Sequence, residues 1–123
     1  MPQLQTTAFP KDHDIVLRSL DSIAYARARE GDYEKAIHLY RGILRSQNSR
    51  FGPSSKESME TTKLMGILFA KEADYEEALR CFTTLLKWQK ASLSNDDPEL
   101  QRTKEFIKKV ETNLDGDQVS VWV

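Results

Sequence analysis

Gly31-Asp32-Tyr33-Glu34-Lys35-Ala36-Ile37 returns 42 residues later as Ala73-Asp74-Tyr75-Glu76-Glu77-Ala78-Leu79, with Asp, Tyr, Glu and Ala in register. The match runs on downstream, where Tyr40 falls on Phe82, Ile43 on Leu85, Leu44 on Leu86, Arg45 on Lys87 and Gln47 on Gln89. Upstream, Leu20, Ile23, Ala24 and Ala28 fall on Thr62, Met65, Gly66 and Ala70, while Phe9 falls on Phe51 and then on Leu93. A third copy begins at Asp97-Pro98 and stops early. Self-similarity at a fixed period of this length marks a supersecondary unit that buries its apolar face only by stacking on its neighbours.

Within each copy the apolar residues recur at helical spacing. Ile15, Leu20, Ile23, Ala24 and Ala28 predict a first helix over 13–30, stopped by Gly31. Asp32 caps a second over 33–47 that carries Ala36, Ile37, Tyr40, Ile43 and Leu44 on one face. Ser54 and Glu57 have capping-box spacing and open a third helix to about Glu72, with Met65, Leu68 and Phe69 on its apolar face. Asp74 and Glu77 repeat that spacing before Ala78, Leu79, Phe82, Leu85 and Leu86. Asp97 as N-cap and Pro98 at the first helical position start a fifth helix that carries Leu100, Ile107 and Val110 to Leu114, with Gly116 as its stop. Turns of about two residues force antiparallel packing within a pair. The expected fold class is therefore all-α, an α-α superhelix of about five antiparallel helices. The expected segments are a lead at 1–12, repeats at 13–53 and 54–96, a capping helix at 97–114 and a tail at 115–123.

Leu20-x-x-Ile23-Ala24 followed by Gly31-Asp32-Tyr33-Glu34-Lys35-Ala36 resembles the tetratricopeptide repeat, over roughly residues 9–114. The 42-residue spacing and the linkers Pro10-Lys11-Asp12-His13-Asp14, Phe51-Gly52-Pro53-Ser54 and Asn95-Asp96-Asp97-Pro98 look like the longer variant of kinesin light chains and nephrocystin-type proteins. The chain departs from the pattern where Ala73 replaces Gly31, Thr62 replaces Leu20, and Lys104 and Lys108 stand where the first copy has Leu20 and Ala24. The resemblance implies a non-catalytic protein-interaction or scaffold module whose concave surface is lined by the first helix of each pair. Register then places Arg18, Ser22, Tyr25 and Arg29 of copy one, Glu60, Leu64, Ile67 and Lys71 of copy two, and Arg102, Phe106 and Lys109 of copy three on that surface, and the groove candidates are Arg18, Tyr25, Arg29, Lys63, Ile67, Lys71, Arg102 and Lys109. Basic groups alternating with apolar ones imply an extended peptide partner bearing acidic groups and an apolar anchor.

Composition narrows the alternatives. The chain has 123 residues and a net charge of −1, from 18 Lys plus Arg against 19 Asp plus Glu, so no overall field draws it to nucleic acid or an anionic membrane. Neither a signal peptide nor an apolar run of membrane-spanning length is present, and a cytoplasmic location is expected. One cysteine, Cys81, and two distant histidines, His13 and His38, make no zinc site and no nucleophile with an oriented base. No cofactor, no metal and no catalytic residue is expected. Glu76-Glu77 and Asp96-Asp97 read as charges favoured at helix N-termini.

The ends carry two further expectations. Leu4 to Phe9 matches the close of a preceding repeat, so the expectation is a chain cut from a longer array, a first pair whose outer face is covered by a partner, or a structural oligomer that self-associates through its end faces, and Arg102, Lys104, Lys108 and Lys109 make the fifth helix a polar cap. The terminal run ends in Val121, Trp122 and Val123, and a Val-x-Val terminus resembles an apolar PDZ ligand, with Trp122 folding back on the fifth helix as the alternative.

Overall fold

The structure, a computed structural model, describes residues 13–114. The lead segment 1–12 and the tail 115–123, with Val121, Trp122 and Val123, lie outside the described residues. Five helices occupy the rest: α1 (His13–Arg29), α2 (Tyr33–Phe51), α3 (Lys56–Lys71), α4 (Tyr75–Ser92) and α5 (Pro98–Leu114). Each packs chiefly on its neighbours in sequence, and no strand occurs among the described residues. This is the all-α helical repeat that the periodicity predicts.

The 42-residue register is visible in individual hydrogen bonds. At the end of α1, Asp32 N–H donates to Arg27 O at 2.9 Å and Gly31 N–H to Ala28 O at 3.0 Å. At the end of α3, Asp74 N–H donates to Phe69 O at 2.9 Å and Ala73 N–H to Ala70 O at 3.0 Å. Both turns are therefore Schellman closures, which require a left-handed residue after the last helical turn. Gly31 meets that need with φ of 86°, and Ala73 adopts φ of 63° despite its Cβ. A left-handed L-residue costs about 1–2 kcal/mol, so the second turn keeps its geometry at a loss.

Two boundaries and one capping bond differ from expectation. α2 runs past Gln47 to Phe51, because the polar residues Asn48, Ser49 and Arg50 continue the helix until Gly52, at φ of 95°, donates its N–H to Asn48 O at 3.1 Å. α3 then starts one residue later than predicted, so Ser55 and not Ser54 is the N-cap, its Oγ accepting from Ser58 N–H at 3.1 Å. Asp74 holds the N-cap position of α4 but makes no side-chain capping bond, whereas the Asp32 carboxylate accepts from Lys35 N–H at 3.4 Å. At α5 the expected cap forms, with Asp97 Oδ1 accepting from Glu99 N–H at 2.9 Å.

The core is one cluster running the length of the stack, from Ala24, Ala36, Ile37, Tyr40 and Ile43 through Met65, Phe69, Ala78, Phe82 and Leu85 to Val110. Small residues set the helix separations. A Cβ added at Gly66 would lie 2.8 Å from the Phe82 ring, so α3 and α4 approach as closely as glycine permits. Phe82 is fully buried and stacks on Phe106 of α5, with ring centroids 5.0 Å apart. Ile15 and Ile23, predicted on the buried stripe of α1, are 60% and 46% exposed. The register explains why: Met65, the counterpart of Ile23, is buried on α3, which packs against both α2 and α4, whereas no helix precedes α1 among the described residues.

Candidate peptide groove

Two open clefts lie on the side of the stack where α1, α3 and α5 come up beside one another. The first, of about 690 Å3, is walled by Leu17, Arg18 and Asp21 of α1 and by Glu57, Glu60, Thr61 and Leu64 of α3, over a floor of Ile43, Gln47 and Phe51. The second, of about 450 Å3, is walled by Met59, Glu60 and Lys63 of α3 and by Glu99 of α5, over a floor of Leu85, Gln89 and Leu93. Shifting the first by 42 residues lays Leu17 on Met59, Asp21 on Lys63, Ile43 on Leu85, Gln47 on Gln89, Phe51 on Leu93 and Glu57 on Glu99. The clefts are thus one feature repeated, and the alternation of helices produces them. A smaller cleft of about 180 Å3 between α2 and α4, lined by Leu44, Cys81 and Trp88, has no such counterpart on this side.

Charge on the face is mixed at the clefts and basic at the far end. Around the clefts Asp21, Glu57, Glu60, Asp97 and Glu99 stand among Arg18, Lys56 and Lys63. Partial burial, then the charge of Glu60, raises the pKa of Asp21 above its ordinary value of 3.8. Beneath them Tyr40 is buried, and its hydroxyl is pushed up to about 12 by that burial and then by Asp21, Tyr25 and Glu60. Near the C-terminal ends stand cations set against rings: Arg29 lies 5.8 Å from the centre of Tyr25, Lys71 5.8 Å from that of Tyr33, and Lys109 5.8 Å from that of Phe106. Such cation–ring contacts hold the charged heads in place while leaving them accessible.

The structure distributes the eight residues predicted for the groove unevenly. Arg18 lines the first cleft, beside Asp21 and Glu60. Tyr25, 56% exposed, and Arg29 stand together farther along α1. Lys63 is drawn inward, its side chain 20% exposed, and bridges Glu60 at 3.5 Å to Glu99 at 3.6 Å, tying α3 to α5. Arg102 pairs with the same Glu99 at 2.7 Å. Ile67 is half-buried against the core and so serves the fold as much as the surface. Lys71 and Lys109 remain at the basic end. Sequence reasoning left out the floor, which comes from the second helix of each pair. The recurrence of Gln47 as Gln89 was legible; the recurrence of Thr61 as Thr103, on the facing helices, was the signal that both positions look into one boundary.

A family model for the tetratricopeptide repeat matches residues 15–91. The chain belongs to the tetratricopeptide repeat family. The match spans both helical hairpins, α1 with α2 and α3 with most of α4. None of the curated proteins compared with the chain matches it. Tetratricopeptide repeats generally mediate protein–protein interaction and are typically non-catalytic. Cys81, on α4, is half-buried, and burial followed by the charge of Glu77 pushes its thiol up to about 11, which leaves little thiolate near neutral pH. Among the described residues no group of three His, Cys, Asp or Glu side chains is placed to hold a metal ion, and no helix is long and apolar enough to cross a membrane.

Proposed function

We propose that this tetratricopeptide repeat is a cytoplasmic scaffold module that binds an extended peptide along the α1/α3/α5 face, in the manner of the longer-period repeats of kinesin light chains. The observation that carries the reading is the pair of equivalent clefts, about 690 Å3 and 450 Å3, each floored by two apolar residues and a glutamine and flanked by charged walls. A repeated cleft at repeat spacing suits a repeating ligand, and an extended peptide is the simplest one. The charge division assigns polarity to the peptide: an apolar anchor lies in a cleft, and acidic groups extend toward Arg29 and Lys71.

A display library of extended peptides, selected on the intact chain and then on Arg29→Glu with Lys71→Glu, tests this reading. Selected peptides should be enriched in acidic residues beside an apolar one and should lose roughly tenfold or more in affinity for the double variant, since reversal of two accessible charges costs about 1.4 kcal/mol or more. Equal affinity for both proteins would refute the assignment of the basic end. A second reading, stacking of a further repeat or a second copy on the stack's first helix, is favoured by the exposed Ile15, Val16 and Ile23. Sedimentation that stays monomeric across concentrations would count against the second copy.

A further inference from the structure

The two clefts differ in how the glutamine of each floor is partnered. In the first, Gln47 Oε1 accepts a hydrogen bond from Thr61 Oγ1 at 2.6 Å, so its carboxamide is already committed to the fold. In the second, the counterparts Gln89 and Thr103 are present but do not pair. The Thr103 hydroxyl donates to Glu99 O of its own helix at 3.1 Å. Gln89, only 4% exposed, is left with an amide oxygen that no protein donor reaches. A buried acceptor without a donor destabilises a fold, and native chains keep few of them. Here it belongs to a side chain that lines an open cleft.

We propose that Gln89 is the recognition group of a backbone subsite in the cleft between α3 and α5. An apolar side chain of the bound peptide packs against Met59, Leu85 and Leu93, and the Gln89 carboxamide takes the N–H of the peptide bond that follows it. This inference rests on the peptide-groove reading above and refines it. The rim carries charges of both signs, Lys56 and Lys63 with Glu60, Asp97 and Glu99, and Lys63 is held between Glu60 and Glu99, so the apolar surface of Met59, Leu85 and Leu93 favours an uncharged side chain. The Gln89 oxygen is itself buried, so the bound state takes a half-turn about the last side-chain torsion, which brings the acceptor to the cleft in place of the amide donors. Gln47 cannot act in the same way while it holds Thr61. The first cleft is therefore a packing surface and the second a hydrogen-bonding one.

The probe is acetyl-leucine N-methylamide, which offers one leucine side chain and the following N–H, with acetyl-leucine methyl ester as the control that lacks that N–H. Methyl and side-chain amide NMR signals are followed in the intact chain, in Gln89→Met and in Gln47→Met. The amide probe is expected to shift Met59, Leu85, Leu93 and the Gln89 amide saturably, and to bind about tenfold more weakly to Gln89→Met, the effect of losing one hydrogen bond of ordinary strength. The ester should bind the intact chain as weakly as the amide binds Gln89→Met. In the free protein Gln89→Met should raise the Tm, by removing an acceptor without a donor, and Gln47→Met should lower it. Equal binding of amide and ester, unchanged binding to Gln89→Met, or a Tm lowered by Gln89→Met as it is by Gln47→Met would each overturn the assignment. So would the absence of any saturable shift at Met59, Leu85 and Leu93. If shifts then appear at Tyr25 and Leu64 the groove reading survives without this subsite, and if none appears on the α1/α3/α5 face the groove reading falls with it.

Discussion

Replacing glycine by alanine inside a helix ordinarily stabilises a protein by about 1 kcal/mol, because alanine loses less backbone entropy on folding. The structure separates two helical glycines that should answer this change with opposite signs. Around Gly42 of α2 an added Cβ meets nothing within 4 Å, so Gly42→Ala should gain about 1 kcal/mol. At Gly66 the added Cβ would lie 2.8, 2.9 and 3.1 Å from three atoms of the Phe82 ring. That ring is fully buried and stacked on Phe106, so it cannot swing into open space. Overpacking of this kind costs about 1–3 kcal/mol. Set against the helical gain, Gly66→Ala should lose about 1 kcal/mol, and the two variants should differ by about 2 kcal/mol. Chemical and thermal unfolding of both measure the gap, which at about 4–8 °C per kcal/mol is on the order of 10 °C in Tm for a domain of this size. Phe82→Leu in the Gly66→Ala background should recover part of the loss, with a coupling of about 1 kcal/mol in the double-mutant cycle. If Gly66→Ala stabilised as much as Gly42→Ala, the close approach of α3 and α4 would be refuted.

Two smaller changes follow from the same geometry. Ala73→Gly relieves the left-handed alanine at φ of 63° and should raise stability by about 0.5–1 kcal/mol, after subtraction of the freedom glycine adds to the unfolded chain, as read by urea unfolding; a loss would show that the Schellman turn carries no strain. Asp21→Asn should raise the Tm at pH 7, because the folded state lifts the pKa of this carboxyl and so disfavours its charged form. For a raised folded pKa the favourable protonated form contributes fully below the unfolded value near 3.8 and is lost as pH rises through the folded one. The advantage of Asn should therefore vanish on acidification below about pH 4. A gain independent of pH would assign the effect to packing.

The fold was legible because its evidence is periodic: the Asp-Tyr-Glu-x-Ala recurrence set the repeat, and the apolar spacing set the helices. What sequence missed was local competition. Asn48, Ser49 and Arg50 look like linker residues, yet α2 retains them because nothing stops the helix before the positive φ of Gly52. Ile23 and Met65 share a register position, but burial depends on whether a preceding helix lies across it, which spacing within one helix does not encode. At the site, the predicted positions lie on α1, α3 and α5, while partnership did not follow from register. Lys63 looked like a groove cation and is consumed by Glu60 and Glu99, and Gln89 looked like a repeat of Gln47 and lacks its hydrogen bond. Pairings of this kind depend on which of two neighbouring helices a long side chain reaches.

The central claim is that the α1/α3/α5 face is the binding surface. The most direct measurement is chemical-shift mapping of the intact chain with one library-selected peptide, recorded over amide and methyl signals. The account predicts saturable shifts confined to the two clefts and the basic end, at Leu17, Leu64, Leu85, Leu93 and the signals around Arg29 and Lys71. Shifts confined instead to the exposed Ile15, Val16 and Ile23 of α1, or to the cleft around Leu44, Cys81 and Trp88, would contradict it.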